Sequence, residues 1–417
     1  MANNELIKRL ELPGRGRALV TTRRVRAGEI VLKDSPSLLY VVSTASDRFC
    51  GTCLRMCSGP DCTDFGAVRF CSAECSASFP KDLCSALGEL KKAEFVSEEE
   101  NQARFLLAAY HLQLVSSEEF EKLLVLEGEG TVDDEGVSKL HSFVEKAVQS
   151  WPWKADRKLS PRLTADLLVK EARNGFGLMA PNEKPGERAV RGYGLYTTAA
   201  FINHECLPNC CRFEYVDKAG KSNTDIYIRA MHDLEPETEI SISYFPINWP
   251  YELRQERLEK EYGFKCTCER CDTEQAWSDV ENGGEEGLEE EETQDEASLE
   301  KVVQELNLKA STLESARNGE EEKNIEAEED EEQDGEEDVE IDGDFEHAMF
   351  FVKYLCPVED CGGTMAPIPQ QPDTNLHERS DDDEDADLFL TMECNMCGHV
   401  RTGDEFRKDL EENRILE

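Results

Sequence analysis

The chain predicts a mainly β fold of small sheets, split after its first strands by a cysteine-rich insert and a small helical region, and followed by a zinc-ribbon-like C-terminal module. Three observations carry this expectation. Short strand-like runs broken by Gly and Pro flank a long stretch with helical spacing. The 17 cysteines fall in close-spaced groups. The 417 residues, at about 150 per domain, allow two or three domains with a sizeable core.

The elements follow in order. Within residues 1–47, Ala18-Leu19-Val20 and Glu29-Ile30-Val31-Leu32 read as short strands around the Arg26-Ala27-Gly28 turn. Residues 48–87 hold the cysteine insert. Residues 88–168 form a helical linking region, with Phe105, Leu106, Ala109 and Leu112, then Phe120, Leu123 and Leu124, at helical spacing. Ser97 and Glu100 suit a capping box at its start. Strand-like pieces return in residues 169–245, at Gly177-Leu178-Met179, Gly194-Leu195-Tyr196, Ile226-Tyr227-Ile228 and Glu239 to Tyr244. Residues 246–271 combine a helical run from Tyr251 to Glu261 with a cysteine cluster. An acidic, disordered insert is expected over 272–344, and residues 345–417 carry two more cysteine pairs around an acidic loop.

Charge narrows the function classes. There are 90 Asp and Glu against 46 Lys and Arg, a formal charge of -44. From Glu281 to Asp344 stand 28 acidic and 4 basic side chains, which supply -24 and leave -20 elsewhere. This balance argues against sequence-specific nucleic-acid binding and fits attraction of basic partners. The acidic insert reads either as a solubilising spacer or as a dock for basic proteins. No signal-peptide-like opening or membrane-length apolar run is present, so a soluble intracellular protein is expected. In a reducing compartment, grouped cysteines read as thiolate metal ligands rather than disulfides.

The most informative stretch is Asn203-His204-Glu205-Cys206-Leu207-Pro208-Asn209-Cys210. Alone, it also fits a tight turn holding a satisfied histidine. Downstream stand Glu239-Ile240-Ser241-Ile242-Ser243-Tyr244 and Tyr262-Gly263-Phe264-Lys265-Cys266-Thr267-Cys268-Glu269-Arg270-Cys271. With these motifs in this order, residues 10–271 resemble the SET-domain protein lysine methyltransferases. Within them the chain is similar to the SET-MYND (SMYD-like) group, as a divergent plant-type member. The resemblance implies a SET β fold with a pseudoknot, split by a zinc-binding MYND insert, and S-adenosylmethionine as methyl donor.

The resemblance also implies roles. Asn203 and His204 match cofactor contacts, Tyr244 the tyrosine beside both cofactor and reacting amine, Tyr262 the wall of the lysine channel, and Phe264 the ring against the adenine. Arg15, Gly16 and Arg17 match the first cofactor-binding turn, although Ala18 stands where the family pattern has glycine. Asn174, before Gly175-Phe176, matches a cofactor-contacting asparagine and equally suits a plain turn into a strand. Cys266, Cys268 and Cys271 are one thiolate short of tetrahedral zinc. Cys206, Cys210 and Cys211 are nearby in sequence, and the resemblance points to Cys206. In the insert, Cys50, Cys53, Cys71 and Cys75 match one crossed tetrathiolate set. Cys57, Cys62 and Cys84 remain for a second, without the family's histidine.

Cys356-x4-Cys361 and Cys394-x2-Cys397, each followed by glycine, read as the knuckles of a zinc ribbon, with His399 facing solvent. Two or three structural zinc ions are expected, four if the second insert set also closes. Residues 272–417 show no repeated helical-hairpin pattern, so the helical C-terminal domain of well-known family members is not expected. The leading functional expectation is methyl transfer to a lysine amine of a basic protein, a histone tail by family resemblance, by a monomer in the nucleus, the cytoplasm or both. The alternatives are a zinc-rich chromatin-associated module without turnover and a methyltransferase of a non-histone cytosolic protein.

Overall fold

Two glycines with left-handed backbone, Gly14 (φ +73°) and Gly16 (φ +68°), turn the chain back on itself in the computed structural model. They pair β1 (Ile7–Leu12) with β2 (Gly16–Thr21) antiparallel. The structure describes residues 6–58, 62–64, 66–132, 135–153, 158–181, 189–218, 220–275, 347–369 and 390–412. The acidic insert from 276 onward and the acidic run at 381–385 lie outside the described residues.

The strand after the Arg26-Ala27-Gly28 turn does not pair with β2. Instead β3 (Ile30–Asp34) joins β11 (Ile226–Ala230), which pairs on its other edge with β10 (Cys210–Glu214). A second sheet sets β8 (Val190–Leu195) between β4 (Leu38–Val41) and β7 (Gly175–Met179). A short parallel ladder aligns β9 (Asn203–His204) with β12 (Ser241–Ile242). The result is a mixed α/β architecture of small interleaved sheets, in which distant segments supply neighbouring strands.

The cysteine insert carries a two-residue hairpin, β5 (Thr63–Asp64) and β6 (Arg69–Phe70), and packs against the helical region through Phe70, Leu83 and Leu87 on one side and Phe105, Leu106 and Tyr110 on the other. The helix Ser97–Val115 is buried over Ala103–Leu107, the pattern of a helix enclosed on several sides. Its entry is capped differently from the expected box: Val96 N–H donates to Glu99, and Glu100 pairs with Arg104. Arg191 on β8, fully buried, clips the insert to the sheet by donating to the carbonyl of Leu54 at 2.7 Å. Among the described residues, no helix is long and apolar enough to cross a membrane.

The C-terminal module folds β13 (Met365–Pro367), β14 (Met392–Cys394) and β15 (Val400–Arg401) into one antiparallel sheet. Gly363 is required at its knuckle, since a Cβ there would sit 2.4 Å from Cys394 Sγ. The module does not stand apart. Met365, Ala366, Met392 and Tyr354 share a buried cluster with Phe213, Tyr227 and Met231. Arg229, 1% exposed, lies 3.7 Å over the Phe213 ring and pairs with Glu393 at 3.0 Å. Removing either partner of such a buried pair costs about 3–5 kcal/mol.

Candidate active site and metal centres

The β9–β12 ladder brings the Asn-His motif beside the strand that leads into Tyr244. His204 is 2% exposed. Tyr244 N–H donates to its Nδ1 at 3.2 Å, which leaves the proton on Nε2, 3.2 Å from Cys206 Sγ. Burial pulls the imidazole down to about 3, so the ring is neutral. His204 thus orients rather than titrates, with one nitrogen on the Tyr244 backbone and the other on the Cys206 sulfur.

Around it lies an aromatic group. Tyr244 and Tyr262 stand 4.7 Å apart between ring centroids, and His204 is 5.2 Å from Tyr244 and 6.5 Å from Phe264. Tyr244 O–H donates to the carbonyl of Ile202 at 2.9 Å. Burial raises the pKa of both tyrosines, which keeps the phenols protonated. Phe264, by contrast, is 40% exposed, an apolar face open to a planar partner. The π-helical turn Leu258–Tyr262, ended by left-handed Gly263, presents Tyr262 and Phe264 on either side of that glycine.

The β1–β2 turn reaches the same place. Asn203 Nδ2 donates to the carbonyl of Arg15 at 3.2 Å and to Glu239 at 2.8 Å. The Arg15 guanidinium meets Glu239 at 3.0 Å, Glu205 at 3.3 Å and the carbonyl of His204 at 3.3 Å. No atom lies within 4 Å of a Cβ built on Gly14 or Gly16, so the turn forms an open cradle. Ala18 sits inside β2 opposite Leu10, and left-handed backbone falls on Gly14 and Gly16 instead, so this strand position does not need glycine's freedom. Arg17 turns toward Glu127 at 3.0 Å. Asn174 ends the helix Pro161–Asn174 rather than lying on a strand, and its amide donates to the carbonyls of Glu127 and Lys170.

Two residues in this network were not singled out from sequence. Glu239 ties Arg15 to Asn203, and Asn209 ties the Asn-His segment to β12, donating to the Glu239 carbonyl at 2.7 Å and accepting from Ser241 N–H at 2.9 Å. The second Asn of the Asn-His-x-Cys-x-Pro-Asn motif was the available signal for Asn209. Glu239 stands at the head of the quoted Glu239–Tyr244 stretch, but nothing in that stretch gave it a partner.

The sulfurs form three groups of four: Cys50, Cys53, Cys71 and Cys75; Cys206, Cys266, Cys268 and Cys271; Cys356, Cys361, Cys394 and Cys397. Four thiolates about 2.3 Å from one zinc stand about 3.8 Å from each other. The recorded S···S separations are 3.5 to 3.7 Å in the first group, 3.5 and 4.0 Å in the second and 3.7 Å in the third. These separations and the all-thiolate donor set fit tetrahedral zinc. Cys206 joins the second group, whereas Cys210 and Cys211 belong to none. Around that group Arg254 donates to Cys271 Sγ at 3.5 Å, and Gln255 brackets the backbone of Cys266 through both N–H and C=O. In the third group, Met396 and His399 turn backbone N–H groups to Cys394 and Cys397 Sγ.

Cys57, Cys62 and Cys84 do not assemble a fourth group among the described residues. Pro80, which begins the helix Lys81–Leu90, stands where the family pattern would place a ligating histidine. Burial alone lifts the Cys84 thiol, with no neighbouring thiolate contributing. Metal analysis of the purified chain is therefore expected to find three zinc equivalents; four would require a ligand set absent from this geometry.

The SET domain model matches residues 16–245. Histone-lysine N-methyltransferase ASHR2 of Arabidopsis thaliana is 38% identical over 422 residues, covering 95% of each chain. Histone-lysine N-methyltransferase ASHR1 of Arabidopsis thaliana is 26% identical, over 62% of this chain and 54% of that one. N-lysine methyltransferase SMYD2-B of Xenopus laevis is 26% identical, over 66% and 63%. The chain thus spans less than two thirds of the latter two. A solved SET domain, that of LSMT bound to lysine and AdoHcy, aligns with 64% of this chain and 54% of its own at 13% identity and a TM-score of 0.29. With more than half its residues under the SET model and 95% of them aligned with one relative at 38% identity, the chain belongs to the SET-domain methyltransferase family, among the relatives of the ASHR and SMYD proteins.

Proposed function

We propose that the chain methylates lysine amines of a basic protein, with histone tails as the first substrate class to test. The observation that carries this reading is the Tyr244 hydroxyl, held on the Ile202 carbonyl beside Tyr262 while the neutral His204 anchors its backbone. S-adenosylmethionine, when bound, supplies the sulfonium methyl group. The Gly14–Gly16 cradle, Arg15, Asn203, His204 and the exposed face of Phe264 are the groups that would hold it, with Arg17 and Asn174 at the margin.

In-line displacement by an amine needs alignment more than a strong nucleophile. Tyr244 and Tyr262 act as walls that orient the incoming amine and exclude water. Their apolar surroundings lower the amine pKa, since desolvation disfavours the ammonium form. The Tyr244 oxygen keeps its lone pairs free because its proton is directed to Ile202, so it can accept from the amine and face developing positive charge. The zinc group at Cys206 fixes the Tyr262–Phe264 segment and takes no part in bond making. A charge of -44 draws basic peptides toward the surface. The histone-lysine names of the two plant relatives favour the nucleus as the site of action.

Calorimetric titration of S-adenosylmethionine into the zinc-loaded chain tests the reading. Saturable binding is expected, weakened about tenfold or more in Asn203→Ala, because a hydrogen bond lost within a charged network is worth about 1.5–3 kcal/mol. Labelled methyl should then appear on recombinant core histones. Folded, metal-loaded protein that binds no cofactor would point instead to an interaction module without turnover.

A further inference from the structure

We propose that the C-terminal cysteine module is a positioning element of the catalytic site, acting through Arg212, and not an appended reader domain. This rests on the methyltransferase reading of the Tyr244–Tyr262 site.

Strand alternation makes the case. On β10, Cys211 and Phe213 face outward and are covered by Met365, Ala366 and Met392 of the module, whereas Cys210 turns into the sheet core. Arg212 lies between them and points to the inner side. Its guanidinium stands 5.6 Å from the Phe176 ring and donates to the carbonyl of Gly177 at 3.2 Å, both on β7, the strand that follows Asn174. One strand therefore has the module on one face and β7, which continues from the Asn174 segment, on the other.

The link between the faces is Asn395, inside the knuckle between Cys394 and Cys397. Its Nδ2 donates to the carbonyl of Arg212 at 3.0 Å. The rest of Asn395 is fixed by Thr364, which donates N–H to Oδ1 at 2.9 Å and accepts from the Asn395 N–H at 3.0 Å. Closing the knuckle around zinc would hold Asn395, and Asn395 sets the height of Arg212 against Phe176 and Gly177. A second tie runs through the zinc group at Cys206. Arg254 touches Cys271 and pairs with Glu274; Arg270 pairs with Glu274 and lies 4.7 Å over Phe351 of the helix Ala348–Tyr354. The second anchor ends at the Cys206 group, against which Tyr244 and Tyr262 pack.

The test uses the full chain, loaded with zinc, with S-adenosylmethionine and recombinant core histones as probes. Asn395→Ala should keep all three zinc equivalents and bind cofactor within about twofold of the parent. Its KM for histone should rise about fivefold or more, as expected for one lost hydrogen bond, and Asn395→Asp, which keeps the Thr364 N–H contact but loses the donor, should not restore it. The double variant Cys361→Ser, Cys397→Ser should lose one zinc and speed amide exchange at 175–179 and 210–214 by about tenfold, leaving 97–115 unchanged. Unchanged exchange in those two strands overturns the proposal even if no histone is methylated. An unchanged KM in Asn395→Ala overturns it where the parent is active. A parent that binds no cofactor would sink the methyltransferase reading alone and leave the exchange result to decide this one.

Discussion

Tyr244→Phe is expected to lower the methyl-transfer rate at saturating cofactor by about 100-fold while leaving cofactor affinity and zinc content unchanged. The substitution removes one oxygen and keeps the ring. The packing against Tyr262 at 4.7 Å and the backbone N–H bond to His204 survive it, so the walls and the β9–β12 ladder stay in place. What disappears is a fixed polar atom at the point where charge changes. Removing a single such preorganised group costs roughly 10²–10³ in kcat. The Ile202 carbonyl then loses its donor and can rotate its dipole toward the amine, which limits the loss to the lower end of that range. Single-turnover kinetics with a labelled cofactor, beside calorimetry on the same sample, separate the two quantities. A rate within about threefold of the parent would remove Tyr244 from the chemistry.

Cys268→Ser should have the broadest effect of any single substitution at the site. It takes one thiolate from a group that joins Cys206, two residues beyond His204, to the segment that carries Tyr262 and Phe264. Without a complete tetrahedron the metal is expected to leave, since binding energy and local folding energy are one quantity in such centres. Arg254 then points a buried guanidinium at a site that has lost its thiolate charge. One of three zinc equivalents should be released, and cofactor affinity should fall at least about tenfold because Phe264 is no longer held beside His204. Unchanged metal content would break the assignment of these four ligands to one ion.

The cysteine spacings and the Asn-His motif were legible because they are local: ligands two or three residues apart and a dipeptide on one strand need no knowledge of the rest of the chain. Pairing was less so. The segment Ile7–Leu12 reads I-K-R-L-E-L, without regular alternation, and only the left-handed Gly14 and Gly16 turn makes it the partner of β2. The strand at Ile30 looked like a hairpin partner for Val20, yet its neighbour is β11, almost two hundred residues on. The length of the 239–244 strand was overread, since only Ser241–Ile242 joins a ladder. Glu393 was lost in the acidic background of a chain with 90 such residues, and Glu239 was read only as the first residue of a strand. Only the fold shows that each faces an arginine, Arg15 and Arg229.

The burial of Gly28 has a consequence for biosynthesis. A Cβ at Gly28 would meet the carbonyls of Pro367 and Ile368 at 3.0 Å, so this turn is packed against residues translated long after it. Contacts of such sequence separation slow folding. At about 5–20 residues per second, the ribosome needs tens of seconds to deliver residue 367 after residue 28 has emerged. From the time β11 is complete until then, the outer faces of β10 and β11, with Phe213 and Tyr227, lack the cover of Met365, Ala366 and Met392. The nascent chain is thus a natural client for chaperones, and cells depleted of them should accumulate insoluble protein before any shortage of zinc is felt.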